Sequence, residues 1–182
     1  MKQFIEIGSS HFRTLRHLCD KGWKGICIDP IDIALKKIPS HQNLIKLNVG
    51  VSPVEGVYDF IKLKDDIYLN AEEDYQGSAT FSDKMAFWNT DLEYKEKVKV
   101  KCFTFDIICD NYNITEVDYL KIDTEGMDYE ILKSIDFSKY NIKLLRAETN
   151  GSPSIEQSIR LLLENNKFFV ETFENDLIGI KL

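Results

Sequence analysis

Residues 118–132, Asp-Tyr-Leu-Lys-Ile-Asp-Thr-Glu-Gly-Met-Asp-Tyr-Glu-Ile-Leu, place charges where a folded chain tolerates them least. Residues 117–122 are β-rich and mostly apolar, and Met127, Ile131, Leu132 and Ile135 recur at helical spacing. The stretch therefore reads as strand, tight turn at Gly126, helix. Side chains alternate along a strand, which puts Tyr119, Lys121 and Asp123 on one face and Leu120 and Ile122 on the other. A central strand of a parallel sheet is covered on both faces, so Lys121 and Asp123 need partners there. Neighbouring segments have to supply them.

Upstream, 4–7 is a short apolar strand that runs into Gly8-Ser9-Ser10. Phe12, Leu15, Leu18 and Cys19 follow at helical spacing until Lys21-Gly22 ends the helix. The apolar run 25–28 is the second strand. Behind it stands Asp29-Pro30, and Ile31, Ala34, Leu35 and Ile38 then share a helical face up to Pro39. Residues 44–51 read as a third strand, and 56–63 as an antiparallel partner or a separate strand.

Regular alternation lapses over 64–97. This segment is polar and acidic, holds Gly77-Ser78-Ala79-Thr80, and carries Tyr75, Phe81, Phe87, Trp88 and Tyr94. A long segment without periodicity is either a lid or a partly disordered insertion, and this one reads as a lid. Residues 98–103 form a strand, and Thr104 caps a helix striped by Phe105, Ile108, Cys109 and Tyr112. Beyond the central strand lie a strand at 142–147, a helix opening at Ser152-Pro153 with Ile155, Ile159, Leu162 and Leu163 inward, and an outer Glu156–Arg160 pair. Residues 168–173 and 177–182 close the chain as a hairpin. Alternating β and α units that finish in an antiparallel hairpin predict an open α/β sheet, whose ligands bind at the carboxyl ends of the strands. Gly8, Asp29, Asn48, Asp123 and Glu148 all fall there.

At 182 residues, 43% hydrophobic and 29% charged, the chain is long enough for one packed domain, 1–182, with 64–97 as an insertion. A net charge of −7 without a basic face repels a phosphate backbone, so nucleic acid is not an expected partner. No apolar run approaches the roughly 18 residues of a membrane span, and the first residues lack a signal-peptide core. A soluble, cytoplasmic protein with no membrane partner is expected. Cys19, Cys27, Cys102 and Cys109 form no C-x-x-C pair and read as four reduced, buried thiols.

Each candidate site residue has a plain reading beside its functional one. Glu6 shares a face with Phe4 and Gly8, and is either a buried ion-pair partner of Lys121 or a ligand-positioning carboxylate. Gly8, Ser9 and Ser10 offer small side chains and free N–H groups for close approach of a ligand, although either serine can simply cap the helix. Asp29 can accept hydrogen bonds from the ribose hydroxyls of an adenosine ligand, or be an N-cap with Pro30 in the first turn. Its place after the second strand favours ribose. Asn48 meets an adenine edge or ends its strand. Glu148 and Asn150 close the fifth strand near Asp123, with Arg146 on the face of Glu148, and charges at adjacent strand ends favour function. His11 and His17 read as solvated or partly packed histidines.

Phe-Ile-Glu-Ile-Gly-Ser-Ser at 4–10, Ile-Asp-Pro at 28–30 and Tyr-Leu-Lys-Ile-Asp-Thr-Glu-Gly-Met-Asp-Tyr-Glu-Ile-Leu at 119–132 occur here in one order. With them the chain resembles the FkbM family of S-adenosylmethionine-dependent methyltransferases over most of its length. Thr104-Phe105-Asp106-Ile107-Ile108 upstream, Ala147-Glu148 downstream and Gly77-Ser78-Ala79, similar to the family's serine-bearing loop, add to the likeness. The resemblance implies a class I methyltransferase fold, a Rossmann-like mixed sheet of order 3-2-1-4-5-7-6. It also implies O-methylation of a sugar, polyketide or other small molecule, and S-adenosylmethionine held by Glu6, Gly8, Ser9, Asp29, Pro30 and Asn48. Cover for the cofactor is expected from 64–97 or from a second subunit, so a homo-oligomer is one expected state.

Methyl transfer from a sulfonium is an in-line displacement, which requires the acceptor oxygen opposite the sulfur and help with its proton. Asp123 is the first candidate for the base or for orienting the acceptor, Glu125 and Glu148 are the alternatives, and Lys121 holds one carboxylate ionised. Chemistry without a metal ranks above a divalent cation on Asp123, Glu148 and Asn150, because a lysine already offsets part of the negative charge. Two other classes compete. A nicotinamide oxidoreductase is disfavoured because Glu6-Ile7-Gly8-Ser9-Ser10-His11-Phe12 fails G-x-G-x-x-G. A catalytically inactive methyltransferase-like binding module keeps every fold signal.

Overall fold

The computed structural model describes residues 1–10, 14–70 and 92–182. The chain starts with β1 (Gln3–Ile7), a 3-10 helix (Leu15–Lys21), β2 (Lys24–Ile28), α1 (Asp32–Lys37) and β3 (Leu44–Leu47). It continues through β4 (Gly50–Val51), β5 (Gly56–Leu63), α2 (Asp65–Asn70), a short 3-10 turn (Leu92–Tyr94) and β6 (Lys95–Phe103). Then come α3 (Phe105–Asn111), β7 (Glu116–Ile122), α4 (Asp128–Ser134), β8 (Asn141–Glu148), α5 (Pro153–Asn165), β9 (Phe168–Phe173) and β10 (Asp176–Lys181).

Seven strands form one sheet in the order β3-β2-β1-β7-β8-β10-β9, which is 3-2-1-4-5-7-6 when that sheet's strands are counted alone. The strands from β3 to β8 run parallel, and β10 inserts antiparallel between β8 and β9. The main core joins the sheet to α3, α4 and α5 through Phe105, Ile108, Ile131, Leu132, Ile159 and Leu163, all within 2% of complete burial. A smaller core on β1 and β2 packs Phe4 and Cys27 against Leu15, Cys19, Leu35 and Ile38.

Local chemistry sets several boundaries. Thr104 Oγ1 accepts from Ile107 N–H at 3.1 Å and caps α3. Gly22, at φ 83, closes the first helix by donating to Cys19 O. Ser152 and Pro153 open α5, and Arg160 pairs with Glu156 at 3.2 Å.

Four expectations need correction. The first helix is a 3-10 helix that starts at Leu15 behind the Thr14 cap, and Phe12 lies outside the described residues. Asp29 and Pro30 are not N-cap and N1, since α1 is capped at Ile31 and begins at Asp32. Residues 44–51 break at Asn48 into strands of two different sheets: β3 ends the main one, while β4, β6 and β5 build a separate three-stranded sheet. The expected lid also has regular ends, because 65–70 is helical and the strand foreseen at 98 already starts at Lys95. Gly77, Ser78, Ala79 and Trp88 lie outside the described residues.

Candidate active site

Parallel pairing of β1 with β7 sets Glu6 directly opposite Lys121. Glu6 is fully buried and Lys121 is 5% exposed. The Lys121 ammonium lies 3.2 Å from Glu6 Oε1 and 3.4 Å from Asp123 Oδ2. Burial pulls the lysine pKa down, but Glu6 and then Asp123 outweigh it, so it stands above the ordinary lysine value. The other Glu6 oxygen accepts from the Thr14 hydroxyl at 2.5 Å, from Leu15 N–H at 2.9 Å and from the Cys27 thiol at 3.4 Å. With both oxygens engaged inside the protein, Glu6 ties the first helix to the sheet centre.

The turn after β1 is packed against the turn after β7. Gly8 sits at φ 76, and a Cβ there would lie 1.7 Å from the Asp123 carbonyl oxygen. Gly8 and Ser9 N–H both donate to Ile28 O, at 2.9 and 3.1 Å, and Asp123 N–H donates to Ile7 O at 3.0 Å. The ends of β1, β2 and β7 are thereby drawn together.

Asp29 enters that junction from β2, 5% exposed. Its Oδ2 accepts from Ser10 N–H and its Oδ1 from Ile31 N–H, both at 2.8 Å. Burial pushes the Asp29 carboxyl up to about 6 against the pull of those two bonds, with the charges of Glu6 and Asp123 adding to the rise. Asn48 Nδ2 donates to the Asp29 carbonyl at 3.1 Å and the Pro30 carbonyl at 3.0 Å, so this side chain braces the loop that carries Asp29. Gly8, Ser9, Asp29, Pro30 and Asn48 thus come together, while Glu6 lies within the sheet beneath them.

A second cluster forms at the ends of β7 and β8. Asp123, Glu125 and Glu148 can each present one carboxylate oxygen with all three oxygens within 4.8 Å of one another. The turn achieves this by placing Glu125 at φ 53 and Gly126 at φ 111, and the β8 turn places Asn150 at φ 50 and Gly151 at φ 64. Asn150 Nδ2 holds Glu148 Oε2 at 2.8 Å. Arg146, on the same strand, is engaged by Asp176, with Nε 2.6 Å from Oδ2.

Crowding of like charge shows in the proton affinities. Burial, then the charges of Asp123 and Asp128, pushes Glu125 up to about 7. Burial, then Asp123, Glu125, Asp128 and Asp176, pushes Glu148 up to about 9. Such an arrangement can take up protons, hold a hydroxyl by hydrogen bonds or hold a cation.

Sequence reasoning missed Asp128 and Tyr68. Asp128 is 1% exposed, accepts at Oδ2 from the Thr124 hydroxyl at 2.8 Å and from Thr124 N–H at 3.3 Å, and is pushed up to about 6 by burial and by Asp123. Its sequence signal was a threonine four residues before an acid in the first turn of a helix. Tyr68, from α2, is 1% exposed and packs with Ile31 and Ala34 just beyond Asp29. Nothing in the irregular 64–97 stretch distinguished it.

Among known proteins, a family model described as the methyltransferase FkbM domain matches residues 6–170. No curated protein matches the chain. Solved structures similar to it include a fibrillarin/Nop5p complex, at 11% identity and TM-score 0.46, covering all of this chain and 73% of that one. Another is a TehB-like SAM-dependent methyltransferase from Corynebacterium glutamicum, at 9% identity and TM-score 0.42, covering all of this chain and 80% of that one.

Proposed function

The chain belongs to the methyltransferase FkbM domain family and is an S-adenosylmethionine-dependent methyltransferase, and from that premise we propose that it methylates oxygen, on a hydroxyl of a small molecule or a sugar. The observation that carries this reading is the meeting of Asp123, Glu125 and Glu148 within 4.8 Å at the ends of β7 and β8. A neutral hydroxyl is a weak nucleophile, and its transfer chemistry needs a group that takes its proton or holds its oxygen in line. Three carboxylates set beside the turn that begins at Gly8 are suited to both tasks.

The residues around Gly8 fit the cofactor. Gly8 and Ser9 keep the turn free of bulk, and each Asp29 oxygen, engaged with one backbone N–H, keeps a lone pair for a ribose hydroxyl. When bound, S-adenosylmethionine supplies a methyl group on a sulfonium sulfur. Asp123 then orients the acceptor hydroxyl and takes its proton, and Lys121, fixed by Glu6, holds the Asp123 carboxylate in place. Glu125 and Glu148 line the acceptor side. The four buried, free thiols support a reducing compartment, the cytoplasm.

The test is turnover with S-adenosylmethionine against matched acceptors that carry a hydroxyl, an amine or neither, read as release of S-adenosylhomocysteine. Hydroxyl acceptors alone should react. Asp123→Asn should lower kcat by about 10²- to 10⁴-fold with binding of S-adenosylhomocysteine retained. Equal turnover of amines, or full activity in the variant, contradicts the reading.

A further inference from the structure

Asp29 is only as good an acceptor as the loop that aims it. Both of its oxygens are held from the protein side, Oδ2 by Ser10 N–H and Oδ1 by Ile31 N–H, each at 2.8 Å. The direction of the lone pairs left for a ligand is therefore set by where those two residues stand. Both lie outside the strands. Ser10 sits beyond β1 at φ 45, a left-handed conformation that a serine keeps only when its surroundings hold it there. Ile31 lies in the turn before α1.

One side chain backs both. Tyr68, on α2, is 1% exposed and shares a buried core with Ile31 and Ala34 on one side and with Phe60, Leu63 and Val100 of the small sheet on the other. The Lys37 ammonium, at the end of α1, lies 5.1 Å from the ring centroid and ties the ring to that helix. The Tyr68 hydroxyl stands near enough to the Ser10 side chain for the two to interact. Ser10 Oγ is itself buried and makes no hydrogen bond to any other described residue. Burial pushes the Tyr68 hydroxyl up to about 12 against the pull of Ser10, with the Asp29 charge adding to the rise, so it keeps its proton at neutral pH.

We infer that Tyr68 is a positioning residue for the cofactor: its ring against Ile31 and its hydroxyl against Ser10 fix both donors to Asp29, so that α2 and the small sheet behind it complete the site where S-adenosylmethionine binds. This role rests on Asp29 accepting from the ribose hydroxyls. A shift of either donor turns the remaining lone pairs away from the ribose, and a hydrogen bond weakens steeply once bent. Tyr68 itself need not touch the ligand.

The experiment measures calorimetrically how the full chain binds S-adenosylhomocysteine and its 2′,3′-dideoxy analogue. Two variants are compared with the native chain: Tyr68→Phe, which keeps the ring, and Ser10→Ala, which removes the other hydroxyl and keeps the backbone N–H. The native chain should favour S-adenosylhomocysteine by about tenfold or more, the difference that a hydrogen bond to a charged acceptor makes. Each variant should weaken S-adenosylhomocysteine about three- to tenfold and leave the dideoxy analogue as it was, because only the ribose contact depends on the aim of Asp29. The two substitutions together should cost no more than either alone. Native discrimination in both variants, or equal weakening of the two ligands, overturns the role of Tyr68 and leaves Asp29 as the ribose acceptor. No discrimination by the native chain overturns Asp29 as the ribose acceptor and the role of Tyr68 with it, while O-methylation stands on its own test.

Discussion

At the residue scale, the fold places a full ion pair where a hydrophobic pair would be expected. Lys121 and Glu6 face each other in the sheet centre, and removing the lysine leaves a fully buried carboxylate whose other oxygen already holds Thr14 and Leu15. Lys121→Met is expected to cost about 3–5 kcal/mol in urea unfolding, and adding Glu6→Gln should recover part of that loss. If the double variant is no more stable than the single, the buried charge is not the cause. Asp29 yields a pH prediction. Its carboxyl is raised from 3.8 to about 6 in the folded chain, so between those values the folded state binds more proton than the unfolded one, and Asp29's contribution to stability falls as pH rises. Above about 6 the loss is complete. Comparing melting temperatures from pH 4 to 7, the native chain should lose ground relative to Asp29→Asn. In the same window, affinity for S-adenosylhomocysteine should rise through about pH 6 in the native chain and stay level in the variant.

At the element scale, what the sequence revealed depended on how local the signal was. The strand, turn and helix built around 118–132 was legible because alternation along β7 and the helical spacing of Ile131, Leu132 and Ile135 are local patterns. Asp123 and Glu148 were legible as strand ends for the same reason. The small sheet was not, because β4 is two residues long and β6 pairs with β5 across 31 intervening residues between Leu63 and Lys95, which no window of periodicity spans. Asp128 escaped because an acid in the first helical turn already has an ordinary explanation in the helix dipole. The joint between β1 and β7 is where an element-scale substitution is most informative. Gly8→Ala combines a positive φ with a Cβ 1.7 Å from the Asp123 carbonyl, so the two turns must separate. Strain alone is about 1–3 kcal/mol, and lowered stability should come with loss of S-adenosylhomocysteine binding. A variant of native stability and affinity would show that the turns move apart freely.

At the scale of the whole molecule, one sheet edge gathers two clusters of different chemistry. Gly8, Ser9 and Asp29 form a tight backbone-rich junction at the ends of β1 and β2, and Asp123, Glu125 and Glu148 form a half-buried acidic cluster at the ends of β7 and β8. Lys121, the residue between them, is anchored through Glu6 to the first helix. The proposed chemistry is transfer of a methyl group at this edge from S-adenosylmethionine to an acceptor oxygen. The most direct measurement supplies the chain with S-adenosylmethionine carrying a carbon-13 methyl and a hydroxyl-bearing acceptor, and reads the product by carbon-13 nuclear magnetic resonance beside an Asp123→Asn control. The product should carry a labelled methyl bonded to oxygen that is lost in the control; a methyl on nitrogen or carbon, or the same yield from the variant, rules out O-methylation by this edge.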